Sequence, residues 1–386
     1  MPLICLGALS LLIWLILGAA WGGFWHIATA PPGRTLSTAL PRVAIVVPAR
    51  NEADVLSPVL QSLLHQEYPG PWRIYVVDDH STDATARIAA EAGDRVTTLS
   101  SPELPSGWTG KMWALEQGVK AAAEFSPEYF LFSDADIAHA PHSLTSLVAL
   151  AQSRNLDLVS MMVKLRCESL AERALMPAFV YFFFQLYPPN WVNDRRKKTA
   201  AAAGGDILVR ADALIKTGGI KAIHGELIDD CAMARQIKRR GAIWLGLTDE
   251  ALSIRKYDTF GTIGSMISRN AFYQLRHSFW LLIATLLGLF ITYLAPPVVL
   301  VAGLFFNHWA ALLGGLAWLL MTLSFLPMVR FYRLSRLWAT TLPFVAIFYA
   351  GATAHSAVQY WLGLGGEWKG RAQDTQPSAD SASNPN

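Results

Sequence analysis

The sequence predicts an α/β domain with a parallel open sheet, set between one N-terminal and about three C-terminal transmembrane helices. Three observations carry this prediction. Charged residues make up only 16% of the 386 residues, where a soluble domain holds roughly 25%, and all but eight of them lie between 34 and 278. The chain ends are long uncharged apolar runs. Between them, short apolar β-branched runs stop at clusters of polar residues and alternate with helical stretches, as strands of a doubly wound sheet do.

Residues 3–24 form an uncharged run of about 22 residues, enough to cross roughly 30 Å of hydrocarbon. Ala28-Thr29-Ala30 resembles a signal-peptide cleavage site, but no positive side chain precedes the run, the run is too long, and Pro31 follows. An uncleaved anchor over 1–33 is therefore expected. Val43–Val47 reads as a buried strand ending at Pro48, and 53–65 as a helix. Ile74–Val77 reads as a second strand running into Asp78-Asp79-His80-Ser81-Thr82-Asp83, followed by a helix over 84–92. Tyr129–Phe132 reads as a third, ending at Ser133-Asp134-Ala135-Asp136.

Past Ser278, Phe279–Val329 carries no charge and is broken at Asn307-His308 into two possible spans, with Pro296-Pro297 expected to kink the first. A third span is expected over 338–362. Arg330, Arg333 and Arg336 fall between the last two spans, so the positive-inside rule places that loop and the 34–278 domain in the cytoplasm of a cell (inner) membrane. The same count puts Lys369 and Arg371 outside, in conflict with that rule. Residues 279–365 are thus expected as the C-terminal transmembrane region and 366–386 as a disordered polar tail.

Composition and motifs exclude several functions. The 34–278 segment is almost balanced in charge and has no basic excess to grip nucleic acid. Cys5, Cys167 and Cys231 are odd in number and far apart, which suits neither a disulfide framework nor a zinc site. The turn after the first strand, Pro48-Ala49-Arg50-Asn51-Glu52, has no glycine, so a G-x-G-x-x-G dinucleotide site is ruled out. What remains is acidic chemistry at strand ends. Asp134-x-Asp136 has a spacing suited to Mg²⁺ or Mn²⁺ shared with a diphosphate.

Taken in order, VPARNE (47–52), VVDDHSTD (76–83), GKMWALEQG (110–118), the D-x-D at 134–136, and GELIDD followed by CAMAR (225–235) resemble the family 2 glycosyltransferases of the GT-A fold, over residues 40–280. GWTGK (107–111), AGGDILVRADAL (203–214) and RNAFYQLRHS (269–278) are most similar to the hopene-associated, hopanoid-biosynthesis members. The resemblance implies a metal-dependent, inverting transfer from a nucleotide-diphosphate sugar, UDP-linked, to a lipid acceptor, hopanoid or related. It places the nucleotide against Pro48, Arg50, Asn51, Glu52, Asp78 and Asp79, a carboxylate being able to accept the N3–H of uracil. Lys111 and Arg269 would face the phosphates, Asp136 would be the metal ligand, and Asp134 a ribose or metal contact. Asp230 would be the general base, with Asp229 the fallback, and the crowding of Glu226, Asp229 and Asp230 should raise at least one carboxyl pKa. Where processive members carry Q-x-x-R-W, this chain reads Met266-Ile267-Ser268-Arg269-Asn270, which argues against a polymer-extending synthase.

Ala174–Tyr187 is aromatic and uncharged but too short to span, and 260–279 is similar; each reads either as a helix at the lipid interface or as a buried one. Arg195-Arg196-Lys197-Lys198 suits an anionic lipid surface. A lipid acceptor is the reading these favour. Transfer to a polyprenyl phosphate or a ceramide-like alcohol, or a non-catalytic nucleotide-sugar-binding membrane protein, are the alternatives.

Overall fold

A computed structural model describes residues 1–27, 29, 40–363, 367–368 and 371–372. The expected end of the anchor at 33 and most of the 366–386 tail lie outside the described residues. The chain runs α1 (Pro2–Ala20), β1 (Val43–Ala49), α2 (Ala53–Leu64), β2 (Trp72–Asp78), α3 (Thr85–Ala90), β3 (Val96–Ser100), α4 (Gly110–Ala121), β4 (Tyr129–Ser133), β5 (Ile137–His139), α5 (Ser143–Arg154) and β6 (Leu158–Lys164). It continues through α6 (Leu170–Leu186), α7 (Pro189–Val192), β7 (Asp206–Arg210), α8 (Ala211–Lys216), α9 (Asp229–Lys238), β8 (Ile243–Ser253), α10 (Phe260–Gln274), α11 (Phe279–Leu289), α12 (Ala295–Phe306), α13 (His308–Phe331) and α14 (Leu342–Trp361).

Two compact units result. One comprises Thr29–Lys164, Arg195–Arg255 and Gly366–Asn386; the other Met1–Ala28, Leu165–Asp194 and Lys256–Gly365. Segments 165–194 and 256–278, expected inside the globular domain, belong instead to the helical unit. The reason is packing. α6 buries Leu175, Met176, Val180, Tyr181 and Phe184, with the Tyr181 hydroxyl 2.7 Å from Ser324 Oγ on α13, and the Phe272 backbone N–H of α10 donates to Ser356 Oγ of α14 (3.1 Å). Of the two readings of these stretches, α6 packs as a buried helix, while α10 buries one face (Ile263, Ile267, Ser268 and Phe272) and leaves the other exposed.

The globular unit holds an eight-stranded sheet in the order β3-β2-β1-β4-β7-β6-β8-β5. The three strands expected from the sequence are its centre-left half, and β3, β2, β1 and β4 are parallel. The remainder departs from the expected parallel sheet: β7 runs antiparallel to both β4 and β6, and β5 antiparallel to β8. The parallel half is joined by helical crossovers, which enforce one direction; β7 is reached only after the 165–194 excursion into the other unit, so nothing imposes that direction on it. β1 is buried along its whole length, as the apolar VAIVV run requires of a central strand. Gly118 on α4 lets that helix close on β1, since a Cβ there would overlap Val46 Cγ1.

In the helical unit, α11 and α12 are one rod, 279–306, in which Phe290–Leu294 is wound as a π-turn just before Pro296-Pro297. The expected kink site is thus a π-turn that accommodates the missing proline N–H groups. α12 and α13 form a hairpin about Asn307, whose side chain caps α13 at the Ala310 nitrogen (3.1 Å). Glu172 is fully buried at the start of α6, where it completes a capping box with Ser169, pairs with Arg166 (2.8 Å) and accepts the Tyr257 backbone N–H (2.9 Å). Those backbone bonds outweigh burial and hold its carboxyl below the usual range.

Candidate active site

Side chains of the site sit where the sheet's strands end and the following helices begin. β1 ends in Pro48, Ala49 and Arg50, and Asn51 turns the chain with a φ of 51°, which lets its amide oxygen accept the Thr82 N–H (2.8 Å). Asp83 caps two helices, accepting from Ala53 N (3.1 Å) and Thr85 N (2.9 Å). The β1 and β2 loops are thereby laced together. Within them the two adjacent aspartates differ. Asp79 is fully buried, receives Arg50 (3.7 Å) and is therefore a buttress behind the loop. Asp78, 6% exposed, accepts the Ser81 N–H with one oxygen, and its other oxygen, Oδ1, is buried with no hydrogen-bond partner. A buried acceptor without a donor is where a ligand N–H fits.

The second half of the site is built by two loops that meet. Thr109 caps α4 and donates its backbone N–H to the His224 carbonyl (3.0 Å), while Trp108 packs against Trp113 and His224. This brings the first residues of α4 to those of α9. Lys111 Nζ consequently reaches Asp134 Oδ1 (2.9 Å) and Asp229 Oδ2 (3.5 Å). Gly204 lies between: a Cβ there would stand 3.3 Å from Lys111 Nζ and 3.4 Å from Asp230 Oδ2. Pro48, Lys111, Leu115, Phe132, Ser133, Asp134, Gly204, Ile207, Asp229 and Met233 line a small cavity here.

Electrostatics separate these groups. Burial alone would lower the Lys111 ammonium, but Asp134 and Asp229 hold it firmly protonated. Asp229 begins α9, where the helix dipole favours a carboxylate. The Asp230 carboxyl is pushed up to about 7, first by burial and then by Asp229, against the pull of Lys111. The expected raised carboxyl is therefore Asp230, and one of its oxygens accepts the Cys231 N–H (2.6 Å).

Asp136 points elsewhere than Asp134. Its Oδ2 meets Arg255 Nε (2.8 Å) and Ser253 Oγ (3.3 Å), and the same guanidinium grips both oxygens of Glu52 (2.7 and 2.8 Å). Sequence reading missed Arg255 because β8 was not foreseen; a lone cation just past a strand end was the available signal. It also gave no role to Gly204 or to Asp206, which is buried on β7 beside Ser133 with both carboxyl oxygens unpartnered and is pushed up to about 8 by burial and by Glu250. Arg269 is an exposed residue of α10 in the helical unit, so the globular unit does not gather it with the carboxylates.

Among the described residues no three carboxylate, histidine or cysteine side chains converge as a complete metal cage. The Asp134 and Asp136 oxygens are hard donors that suit Mg²⁺ or Mn²⁺, and both now face internal cations that a divalent ion bound with a diphosphate would replace.

The family model "Glycosyl transferase family 2" matches residues 44–217. A beta-monoglucosyldiacylglycerol synthase from Nostoc sp. is 32% identical over 130 residues, 33% of this chain and 27% of that protein. A 4,4'-diaponeurosporenoate glycosyltransferase from Staphylococcus haemolyticus is 31% identical over 107 residues, 28% of this chain and 27% of that protein. These matches span about a quarter of each relative's own length. A mannosyltransferase from Pyrobaculum calidifontis, solved with GDP-Man and Mn²⁺, superposes with a TM-score of 0.53 at 19% identity, covering 89% of this chain and 99% of that one. Residues 44–217 thus match the family 2 glycosyltransferase model, and the α/β unit has a GT-A-like fold.

Proposed function

We propose that this chain is a membrane-bound inverting glycosyltransferase that moves a sugar from a UDP-linked donor to the hydroxyl of a membrane lipid, the hopanoid class being the one the sequence resemblance implies. The observation that carries the reading is the convergence of Lys111, Asp134, Asp229 and Asp230 on the gap at Gly204. That gap has a permanent cation on one side and, on the other, a carboxyl whose pKa of about 7 suits proton transfer near neutral pH. Asp230 takes the proton of the acceptor hydroxyl. The freed oxygen lone pair forms the new bond to the anomeric carbon, and the old carbon–oxygen bond breaks with its electron pair passing to the diphosphate. Lys111 offers the protonated ammonium that receives this charge. Asp78 serves the base through its unpartnered oxygen, and Asp79 serves indirectly by fixing Arg50. A divalent ion on Asp134 and Asp136 would add positive charge beside the departing diphosphate.

Support for a lipid acceptor comes from the apolar helices α1, 279–306, α13 and Arg336–Trp361 and from relatives whose names specify a monoglucosyldiacylglycerol and 4,4'-diaponeurosporenoate. The arginines at 330, 333 and 336 support a cytoplasmic catalytic domain in a cell membrane. The test is incubation of the purified protein with individual nucleotide sugars and a total lipid extract, followed by mass spectrometry. A glycosylated lipid that disappears with Asp230→Asn is the expected product; sugar found only on a soluble acceptor overturns the lipid reading.

A further inference from the structure

Among the described residues, four helices are long and apolar enough to cross a membrane: Pro2–Ala20, Phe279–Phe306, His308–Phe331 and Arg336–Trp361. Counting each as a crossing is what sends Lys369 and Arg371 to the face opposite Arg330, Arg333 and Arg336. The packing within the helical unit gives the depth of each helix.

α1 is the ruler. Its 19 residues span about 28 Å at 1.5 Å each, barely the hydrocarbon thickness, so it has no length to spare. It runs antiparallel to the 279–306 rod. Gly7 faces Val299 and Leu313, Ser10 Oγ donates to the Ile291 carbonyl (2.6 Å), and Trp14 Nε1 to the Thr292 carbonyl (2.8 Å). One membrane boundary therefore lies near Met1 and the Asn307 turn, the other about 30 Å away, near residue 286 of the rod. α13 leaves the same turn with Ala311 against Gly303 and Gly314 against Pro296 and Leu300, and it delivers Arg330 to the far boundary.

α14 does not follow this pattern. Its end lies beside the start of α11: the Trp361 ring is 6.2 Å from Phe279 and 5.6 Å from Phe272, and Tyr360 stacks on His277 at 4.0 Å. Going back along α14, Ala357 packs with Leu282, and Tyr349 meets Phe182 (4.8 Å), whose ring also meets Tyr293 (5.4 Å). α14 thus retraces the rod from 279 to 293. The seven residues from Tyr349 to Leu342 add only about 10 Å, which stops short of the Asn307 turn. Independently, the Thr340 carbonyl accepts Trp318 Nε1 (3.3 Å), ten residues, or about 15 Å, down α13 from that turn. The approach is a 3₁₀ segment, Arg336–Thr341, exposed at Arg336, Leu337 and Thr340 but anchored inward by the fully buried Ala339 and by Leu342, which follows it, with the Thr340 and Thr341 hydroxyls bonded to backbone carbonyls. Exposed aromatics flank the two boundaries: Phe305, Phe306 and Trp309 lie at one, and Phe279, Trp280 and Trp361 stand about 10 Å outside the other.

We infer that only α1, the 279–306 rod and α13 cross the bilayer, and that α14 is a re-entrant helix which enters and leaves through the face bearing Arg330, Arg333 and Arg336. The chain after Leu362 then continues on that face. The conflict with the positive-inside rule, which arose from counting α14 as a crossing, then disappears. The inference rests on helix packing alone and stands whether or not the acceptor is a lipid.

The test places one epitope tag in each of three full-length proteins: after Asn386, in the exposed turn at Gly93 of the globular unit, and in the Asn307-His308 turn. Sealed inverted and right-side-out vesicles are then treated with protease. The Asn386 and Gly93 tags should be cut in the same vesicle orientation and the 307 tag in the opposite one. A C-terminal tag that sorts with the 307 tag overturns the inference. Fusions of the untouched chain give a second reading that needs no internal insertion: a C-terminal green fluorescent protein should fluoresce and a C-terminal alkaline phosphatase should be silent, and the reverse result overturns it equally.

Discussion

Replacing Arg255 with glutamine removes a side chain that ties the β1 loop to the D-x-D loop. Its guanidinium holds Glu52 at 2.7 and 2.8 Å and Asp136 at 2.8 Å, with Glu52 and Asp136 only 8% and 13% exposed. Breaking a fully buried pair from one side costs about 3–5 kcal/mol because the partner carboxylate is left uncompensated. Arg255 is itself 29% exposed, so water screens part of this, and about 2 kcal/mol is the reasonable loss. For a globular unit of this size that is a fall of roughly 4–8 °C in melting temperature. Arg255→Lys keeps the charge but not the fork, and should recover less than half. The assay is thermal unfolding of detergent-purified protein with and without Mn²⁺. Because Arg255→Gln frees the Asp136 oxygen, Mn²⁺ should raise its melting temperature more than it raises that of the parent. A variant that melts with the parent, or that Mn²⁺ stabilises no better, refutes the assignment of Arg255 as the cation on Asp136.

Three further outcomes are expected. Asp230→Asn should lower kcat by about 10²- to 10⁴-fold with donor KM little changed, whereas Asp229→Asn should act mainly on KM through Lys111; equal effects on both parameters in both variants would remove the base assignment. Asp206 has a folded-state pKa raised to about 8, so its contribution to stability is complete below the unfolded value near 3.8 and is lost as pH rises towards and through 8. Asp206→Asn lacks this loss, and its stability relative to the parent should climb by about 1.4 kcal/mol per pH unit between pH 5 and 8; a difference flat with pH contradicts the buried neutral carboxyl. Gly118→Ala gains about 1 kcal/mol in helix propensity but forces a methyl into β-branched Val46, and should be net destabilising by about 1–2 kcal/mol in chemical denaturation; a stabilised variant would show that α4 can slide on β1.

What the sequence made legible was set by local physics. VAIVV and IYVV are strands because a central parallel strand is buried on both faces, and the polar clusters after them mark the ligand edge. Asp230 was legible as a carboxyl in a crowd. Long-range pairing was not legible. The antiparallel direction of β7, the union of α6 and α10 with the apolar helices, and the bond from Arg255 to Glu52 all depend on segments far apart in the chain, and no periodicity records them. Nor does adjacency show which of Asp78 and Asp79 is sealed behind Arg50. α14 is the clearest case: length and apolarity license a crossing, but only its neighbours reveal the depth it reaches.

The ion pairs of the globular unit also bear on why the proposed reaction would use a divalent ion. Arg50, Lys111 and Arg255 are the cations facing the strand ends, against Glu52, Asp78, Asp79, Asp134, Asp136 and Asp229. Even with Asp230 protonated, carboxylates exceed cations by about three at this sheet edge, where the effective dielectric is well below that of water. A nucleotide diphosphate would add further negative charge, so the edge as it stands would repel the proposed donor. Two arrangements relieve this. Lys111 can exchange Asp134 for the phosphates, which leaves Asp134 exposed to the same repulsion. A divalent ion held by Asp134 and Asp136 would instead meet the phosphates itself and would free Lys111 from Asp134, so that Lys111 could face the departing diphosphate while staying beside Asp229 and Asp230. Only the second neutralises donor and loop at once and keeps the Asp230 carboxyl next to a fixed positive charge. Chelation of divalent metal should accordingly weaken donor binding itself, before any sugar is transferred.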